Sequence, residues 1–197
     1  MSPQGVLLVL AGPSGAGKGT IGDALRRRDP KLHWSVSWTT RRPRPDERDG
    51  VHYHFRDRES FEELRDAGGF LEWFEVFGDL KGTPRAPVSD GLAAGDDVLC
   101  EIDVQGALRV REEYPDALLV FVRPPSRAVQ RERLEVRGQD STEAIDLRLA
   151  EADREEATAL ASGAFAVVVN DDLGRAVDEV AAILERHRRA LAERPSA

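Results

Sequence analysis

Nine residues constrain this chain more than any others: Gly12-Pro13-Ser14-Gly15-Ala16-Gly17-Lys18-Gly19-Thr20. They follow an unbroken apolar run, Val6–Leu10, and open a stretch of helical character from Lys18 to Arg28. An apolar run without polar alternation reads as a strand buried on both faces. The glycines let backbone N–H groups crowd together where side chains would stand in the way. Converging N–H groups at the positive end of a helix cradle an anion, and a lysine there reaches the β- and γ-phosphates of a nucleoside triphosphate. Gly12, Pro13, Ser14, Gly15, Ala16, Gly17, Lys18, Gly19 and Thr20 are therefore the predicted triphosphate loop. A hydroxyl residue usually stands directly after such a lysine as a magnesium ligand. Gly19 holds that place here, so the hydroxyl candidate is Thr20. A glycine-rich turn that binds nothing is the bland alternative, and the strand–loop–helix setting weighs against it.

Short apolar runs recur at Val98–Ile102, Leu118–Val122 and Phe165–Val169, with His33–Ser37 as a weaker fifth candidate strand. Helical patterns lie between them. Arg127–Arg137 follows a capping Ser126, Thr142–Ala161 follows Asp140-Ser141 with Glu143 in place for a capping box, and Leu173–Leu191 closes the pattern. Strands alternating with helices predict an α/β fold, a parallel β-sheet core flanked by helices. The middle of the chain differs. Ser35–Thr39, Val51–Phe55 and Phe70–Phe77 alternate, turn residues crowd Pro43–Gly50, and one short helix, Phe61–Ala67, starts at Ser60 with Glu63 completing a capping box. The reading is one domain over residues 1–192. Its core is residues 1–35 and 90–192, a small mostly-β lobe is inserted at about 36–89, and 193–197 form a frayed tail.

A formal net charge of -8 argues against a general nucleic-acid or membrane-surface binder, though a local arginine cluster can still hold a small anion. Among 28 basic residues only Lys18, Lys31 and Lys81 are lysine, so a lysine within a motif draws notice. The single cysteine, Cys100, excludes an internal disulfide and sits in an apolar run as a buried thiol. Val6–Ala11 is too short for a membrane span and lacks a basic leader, which places the protein in the cytoplasm.

Further motifs stand in order along the chain: Ser35-Val36-Ser37-Trp38-Thr39-Thr40-Arg41-Arg42-Pro43-Arg44-Pro45, then Gly50-Val51-His52-Tyr53, Phe70-Leu71-Glu72-Trp73, Gly82-Thr83, Glu101-Ile102-Asp103-Val104-Gln105-Gly106, Arg137-Gly138-Gln139-Asp140 and Val169-Asn170-Asp171-Asp172. Their order and spacing, over roughly residues 5 to 190, resemble the guanylate kinase family. The resemblance implies a P-loop kinase fold whose inserted lobe binds GMP and whose helical lid, about residues 127–150, closes over ATP. It implies ATP and Mg²⁺ as cofactors and transfer of a phosphoryl group from ATP to GMP, and to dGMP. The partners are then these small molecules, with no nucleic acid and no membrane, in a monomer or homodimer.

Chemistry explains the residue types. Arg41 and Arg44, three apart around Pro43, suit a bidentate clamp on a monophosphate dianion, and Tyr53 adds a hydroxyl. Guanine presents a ring N–H beside an amino group, two donors that call for a carboxylate. Glu72, amid Phe70, Leu71, Trp73 and Phe74, answers that need, since a carboxylate buried without a partner is costly. Asp103 accepts from the amino group, while Ser37 and Thr83 donate to the carbonyl oxygen; taken alone, both hydroxyls also read as cap or turn residues. Asp103 ends the run Val98–Ile102, where ligands bind in open α/β sheets, and together with Glu101 it is a candidate for holding hydrated magnesium. The resemblance places Arg133, Arg137 and Arg148 on the lid as catalytic cations with Lys18; a solvated charged helix face is the alternative. It places Asn170 near the adenine, where a strand-end turn reads equally well. In this family the position of Lys81 commonly carries a tyrosine that contacts the acceptor phosphate. The ammonium either replaces that contact or points to solvent.

Two rival readings share these motifs. A kinase for another phosphorylated acceptor, such as a ribose bisphosphate, would not need Glu72, Thr83 and Asp103 together. A non-catalytic guanylate-kinase-like binding module would tend to lose the loop residues that this chain keeps, Lys18 among them.

Overall fold

The structure is a computed structural model, and it describes residues 5–76, 78–138 and 141–194. Among these residues the elements run β1 (Leu7–Ala11), α1 (Lys18–Arg28), β2 (Leu32–Trp34), β3 (Trp38–Thr39), β4 (His54–Phe55), α2 (Arg58–Asp66), β5 (Phe70–Val76) and β6 (Asp79–Pro84). They continue with α3 (Arg85–Ala94), β7 (Asp97–Glu101), α4 (Val104–Glu113), β8 (Leu118–Arg123), α5 (Arg127–Arg137), α6 (Thr142–Ser162), β9 (Ala166–Val169) and α7 (Leu173–Ala192).

Five strands form a sheet in the order β2-β7-β1-β8-β9, and every neighbouring pair is parallel. The central strand β1 is buried along its whole length. Its side chains alternate between two cores, as the two-residue period of a strand requires. Leu8 and Leu10 join Ile21 and Leu25 of α1 and Val177, Val180 and Leu184 of α7. Leu7 and Val9 join Val88 and Leu92 of α3, Val104, Ala107 and Val110 of α4, and Ala159 of α6. The sheet is therefore covered on both faces, and the glycine-rich segment 12–17 and Asp103 follow the C-terminal ends of β1 and β7.

A second sheet, β4-β3-β6-β5, lies within residues 38–84. β5 and β6 form an antiparallel hairpin that sets Glu72 opposite Thr83 and Phe74 opposite Lys81. α2 closes one side of this sheet with Phe61, which stacks on Phe70 at 4.4 Å between ring centroids and packs with Leu80, Trp38 and Leu64.

Several local expectations change. The predicted strand His33–Ser37 is a strand over Leu32–Trp34; beyond it Ser35–Ser37 lead the chain out toward β3. The short helix starts at Arg58, not Ser60. Asp57 is its cap, accepting from the backbone N–H of Ser60, so Glu63 lies too far along to form a capping box. Ser126 caps α5 and Ser141 caps α6 through the N–H groups of Val129 and Ala144. Glu143 is one residue short of the capping-box position. α3, α4 and β6 carry no sequence prediction. Phe77, Gln139, Asp140 and the tail residues 195–197 lie outside the described residues.

Candidate functional site

The loop from Gly12 to Gly17 turns the chain from β1 into α1. Gly12 has φ +136°, and a Cβ there would stand 2.1 Å from the carbonyl oxygen of Val122 on β8. Gly17, the N-terminal cap of α1, has φ +91° and would put a Cβ 2.3 Å from the side-chain nitrogen of Asn170. Neither position tolerates a side chain, for conformational and steric reasons together. Behind the loop, side chains hold its carbonyls. Gln130, fully buried on α5, donates to Ser14 at 2.8 Å. Asn170 donates to Ala16 at 2.7 Å, and Arg133 donates to Gly15 at 3.3 Å and to the Asn170 carbonyl at 2.9 Å. Arg148 of α6 reaches the Ser14 hydroxyl at 3.2 Å. With the carbonyls taken from behind, the N–H groups and the first turn of α1 remain to meet an anion.

Lys18 donates to the carbonyls of Gly12 at 2.7 Å and Pro13 at 3.2 Å, and lies 3.7 Å from Oε1 of Glu101. The other Glu101 oxygen stands against Gly19, where a Cβ would be 3.3 Å away. A side chain at position 19 would therefore require the Glu101 carboxylate to shift by a few tenths of an ångström. Thr20, one residue on, is exposed. Asn170 is buried beneath the loop at 5% exposure, and its amide is turned toward the loop backbone. Arg137 lies in the last turn of α5 and is exposed.

The second half of the site lies where the hairpin meets the end of β7. Glu72 is 3% exposed; its Oε1 accepts from the Thr83 hydroxyl at 2.6 Å, while Oε2 is buried without a hydrogen-bond partner. Burial pushes its carboxyl up to about 7, against the Thr83 hydrogen bond and the Lys81 charge, which pull it down. Ser37 and Thr83 face each other at 3.5 Å. Gly106, in the first turn of α4, leaves room for this carboxylate: a Cβ there would stand 3.0 Å from Oε2. Asp103 caps the same helix, accepting from the Gly106 N–H at 2.7 Å.

Two cations lie against the ring of Tyr53. The Arg41 guanidinium lies 5.6 Å from the ring centroid and the Lys81 ammonium 5.2 Å, with Arg44 three residues from Arg41. Lys81 faces inward. Burial works against its charge, yet Tyr53, Glu101 and Glu72 hold the ammonium above the ordinary lysine range. Lys81 thus couples the two halves of the site.

Three members of this neighbourhood carry no sequence prediction. Glu47 ties Arg41 to the backbone of Arg44. Gln130 buttresses the loop. Glu155 on α6 has a buried oxygen without a partner, and burial raises its carboxyl against the pull of Lys18, with Asp103 and Glu151 adding to the rise. Glu155 belongs to a run of charges that reads as a solvated helix face. Glu47 sits in a turn without periodicity. Cys100 is buried, which pushes its thiol up to about 12 and leaves it unreactive.

No helix among the described residues is long and apolar enough to cross a membrane. The chain is similar to known proteins over nearly its whole length. Residues 4–187 match the family model described as Guanylate kinase. A guanylate kinase of Symbiobacterium thermophilum is 50% identical over 182 residues, 92% of this chain and 85% of that protein. One from Carboxydothermus hydrogenoformans is 46% identical over 181 residues, 92% of this chain and 88% of its own. The crystal structure of a guanylate kinase from Anaplasma phagocytophilum superposes with a TM-score of 0.78 at 33% identity, covering 95% of this chain and 88% of that one. With its motifs, its fold and its relatives in agreement over nearly the whole length, the chain belongs to the guanylate kinase family.

Proposed function

We propose that this protein transfers the γ-phosphoryl group of ATP to GMP, and to dGMP, giving ADP and the nucleoside diphosphate. The observation that carries the choice of acceptor is Glu72. Its buried Oε2 lacks a partner, and Thr83 holds the other oxygen. A guanine edge brings two adjacent donors to such a carboxylate, whereas adenine brings an acceptor. Ser37 donates to the guanine carbonyl and Asp103 accepts from the amino group; Thr83, expected from the sequence to donate to that carbonyl as well, commits its one hydroxyl proton to Oε1 of Glu72 and holds the carboxylate in place. A ribose bisphosphate would leave Oε2 of Glu72 buried with nothing to accept from, which disfavours that rival acceptor.

The acceptor phosphate is itself the nucleophile and already anionic, so no general base is required. Arg41, Arg44, Tyr53 and Lys81 hold it. The loop N–H groups and Lys18 hold the β- and γ-phosphates, and Arg133, Arg137 and Arg148 add positive charge from the lid helices. Catalysis is then positioning and charge neutralisation with water excluded. Arg133 contributes by fixing the loop carbonyls, given its bonds to Gly15 and Asn170. The described residues hold no group of three or more metal-ligating side chains. That suits magnesium, which arrives largely hydrated with its nucleotide and takes one or two protein ligands. Glu101 beside Lys18, Asp103 at the end of β7, and Thr20 are the groups that would hold it; the ion supplies charge neutralisation on the triphosphate.

A substrate panel tests the reading. GMP and dGMP should be used at comparable efficiency, with AMP, UMP and ribose phosphates lower by roughly 10⁴ in kcat/KM, as expected of a site built for polar pairing. AMP within tenfold of GMP would show that Glu72 does not select the base.

A further inference from the structure

We propose that Glu47 is the positioning residue of the acceptor-phosphate subsite, setting Arg41 and Arg44 as a fork before the substrate arrives. The inference rests on the guanylate kinase reading and concerns how that subsite is built.

Both carboxylate oxygens of Glu47 accept from Nη2 of Arg41, at 2.8 and 2.9 Å. Oε2 also accepts from the backbone N–H of Arg44 at 2.8 Å, and Nη1 of Arg44 lies 3.8 Å from Oε1. In return the Glu47 backbone N–H donates to the Arg44 carbonyl at 3.0 Å, so the turn and the carboxylate lock each other. Arg41 is held further: Nη1 donates to the Arg42 carbonyl at 2.7 Å, and the guanidinium lies over Tyr53 and Phe55 at 5.6 and 5.8 Å.

Depth decides what the carboxylate is for. The Glu47 side chain is 13% exposed, while Arg41 and Arg44 are 27% and 28% exposed. A carboxylate that merely occupied the place of a phosphate would be the outer member and would lack a main-chain tether. Glu47 is the inner member with two backbone ties, so it backs the two arginines rather than standing in front of them. Burial lifts its carboxyl, but the bonds from Arg41 and Arg44 outweigh this and hold it below the ordinary glutamate range, so it stays ionised wherever the substrate is a dianion. It also offsets the repulsion among Arg41, Arg44 and Lys81. Without it, the arginines would spread apart and lose the geometry in which a planar guanidinium binds phosphate in a bidentate manner.

The test compares wild type, Glu47→Ala and Glu47→Gln as full-length protein, with calorimetric binding of GMP and of guanosine and steady-state kinetics. Glu47→Ala should weaken GMP binding roughly 10- to 100-fold, the scale of a lost charge-assisted contact. Guanosine, which lacks the phosphate, should bind within about twofold of wild type. KM for GMP should rise by the same factor as its dissociation constant with kcat nearly unchanged, because ground and transition states lose the contact alike. Glu47→Gln, which keeps an acceptor oxygen without charge, should fall between. Equal weakening of GMP and guanosine in both variants would reduce Glu47 to a fold residue, and tighter GMP binding would make it a competitor of the phosphate; either result overturns the proposal. Inorganic phosphate, titrated with ADP present to fill the loop, supplies an arm independent of the base. Should wild type bind neither GMP nor guanosine, the guanylate kinase reading fails by itself. Phosphate binding lost in Glu47→Ala would then still support the fork, and phosphate binding unchanged would overturn it.

Discussion

In the loop between β1 and α1, the groups proposed to face an anion are main-chain N–H groups and one lysine, with Gln130, Asn170 and Arg133 holding the loop from behind. In the lobe the corresponding groups are side chains: Arg41 and Lys81 against the ring of Tyr53, and Arg44, which Glu47 ties to Arg41. The loop keeps its positive potential because the N–H groups belong to the main chain, on a path that Gly12 and Gly17 permit and that Gln130, Asn170 and Arg133 hold. The lobe keeps its potential only while a carboxylate and a phenol restrain three mutually repelling cations. Backbone charge is fixed by covalent geometry and short-range sterics. Side-chain charge has to be gathered from distant segments and then compensated.

The difference leads to effects of different size. The largest should come from Lys18→Ala. Removing the one cation of the loop should lower kcat by roughly 10³ or more while GMP binding stays near wild type, since preorganised charge acts on the transferring group. Wild-type-like turnover in that variant would remove the functional distinction between the two regions. Next come Arg137→Ala and Arg148→Ala, which should lower kcat by roughly 10³ if each neutralises the transition state. Single-turnover rates with GMP saturating would separate that effect from binding, and unchanged rates in both would return the lid arginines to an exposed helix face.

Glu72→Gln bears on the lobe in two directions. It should lower kcat/KM for GMP by roughly 10², the scale of hydrogen bonds to a charged acceptor. It should also stabilise the protein without ligand. Burial lifts the carboxyl from 4.5 to about 7, so the folded state binds more protons than the unfolded state between those values. Stability therefore falls as pH rises from about 4.5 to 7, and above pH 7 the ionised group costs about 3 kcal/mol. Denaturant melts at pH 8 should show the variant more stable by an amount of that order, and the gain should disappear near pH 4. Guanosine affinity in wild type should likewise weaken as pH falls below 7. A flat profile would mean that Glu72 is ionised throughout. The smallest effect belongs to Lys81→Ala. It should raise KM for GMP several-fold with kcat little changed, and more at low than at high ionic strength. Lys81→Tyr should restore much of the affinity with weaker salt dependence. Identical KM values at both ionic strengths in all three proteins would separate Lys81 from the acceptor phosphate.

The parallel sheet was legible because its strands are buried on both faces and therefore read as unbroken apolar runs; β1, β7, β8 and β9 lie within a residue of their predicted ends. The helices α1 and α5 match their predicted ends, because each has a clear start and stop in the chain. α3 and α4 were not legible. α3 begins directly after the last residue of β6, Pro84, and α4 two residues past the end of β7, and each is short with glycine inside, so local pattern had little to distinguish them from strand or turn. In the site, Lys18 and the loop glycines form one contiguous segment, and the family order of motifs pointed to Glu72, Arg41 and Asp103. Glu47, Gln130 and Glu155 were missed for a common reason: each owes its setting to residues that only the folded chain brings beside it.

By itself the sequence determined where the backbone must turn and which runs must be buried, because glycine conformation and apolar periodicity act over a few residues. From this follow the phosphate loop and the layered α/β core. Tertiary structure alone decided which charges are paired and which are left available. It placed Glu72 with one oxygen unpartnered, and it turned Asn170 into the loop. It also set Lys81 over Tyr53 and put Glu47 behind two arginines. The strength of a charge in a protein depends on burial and on neighbours from remote segments, and neither exists until those segments have packed together.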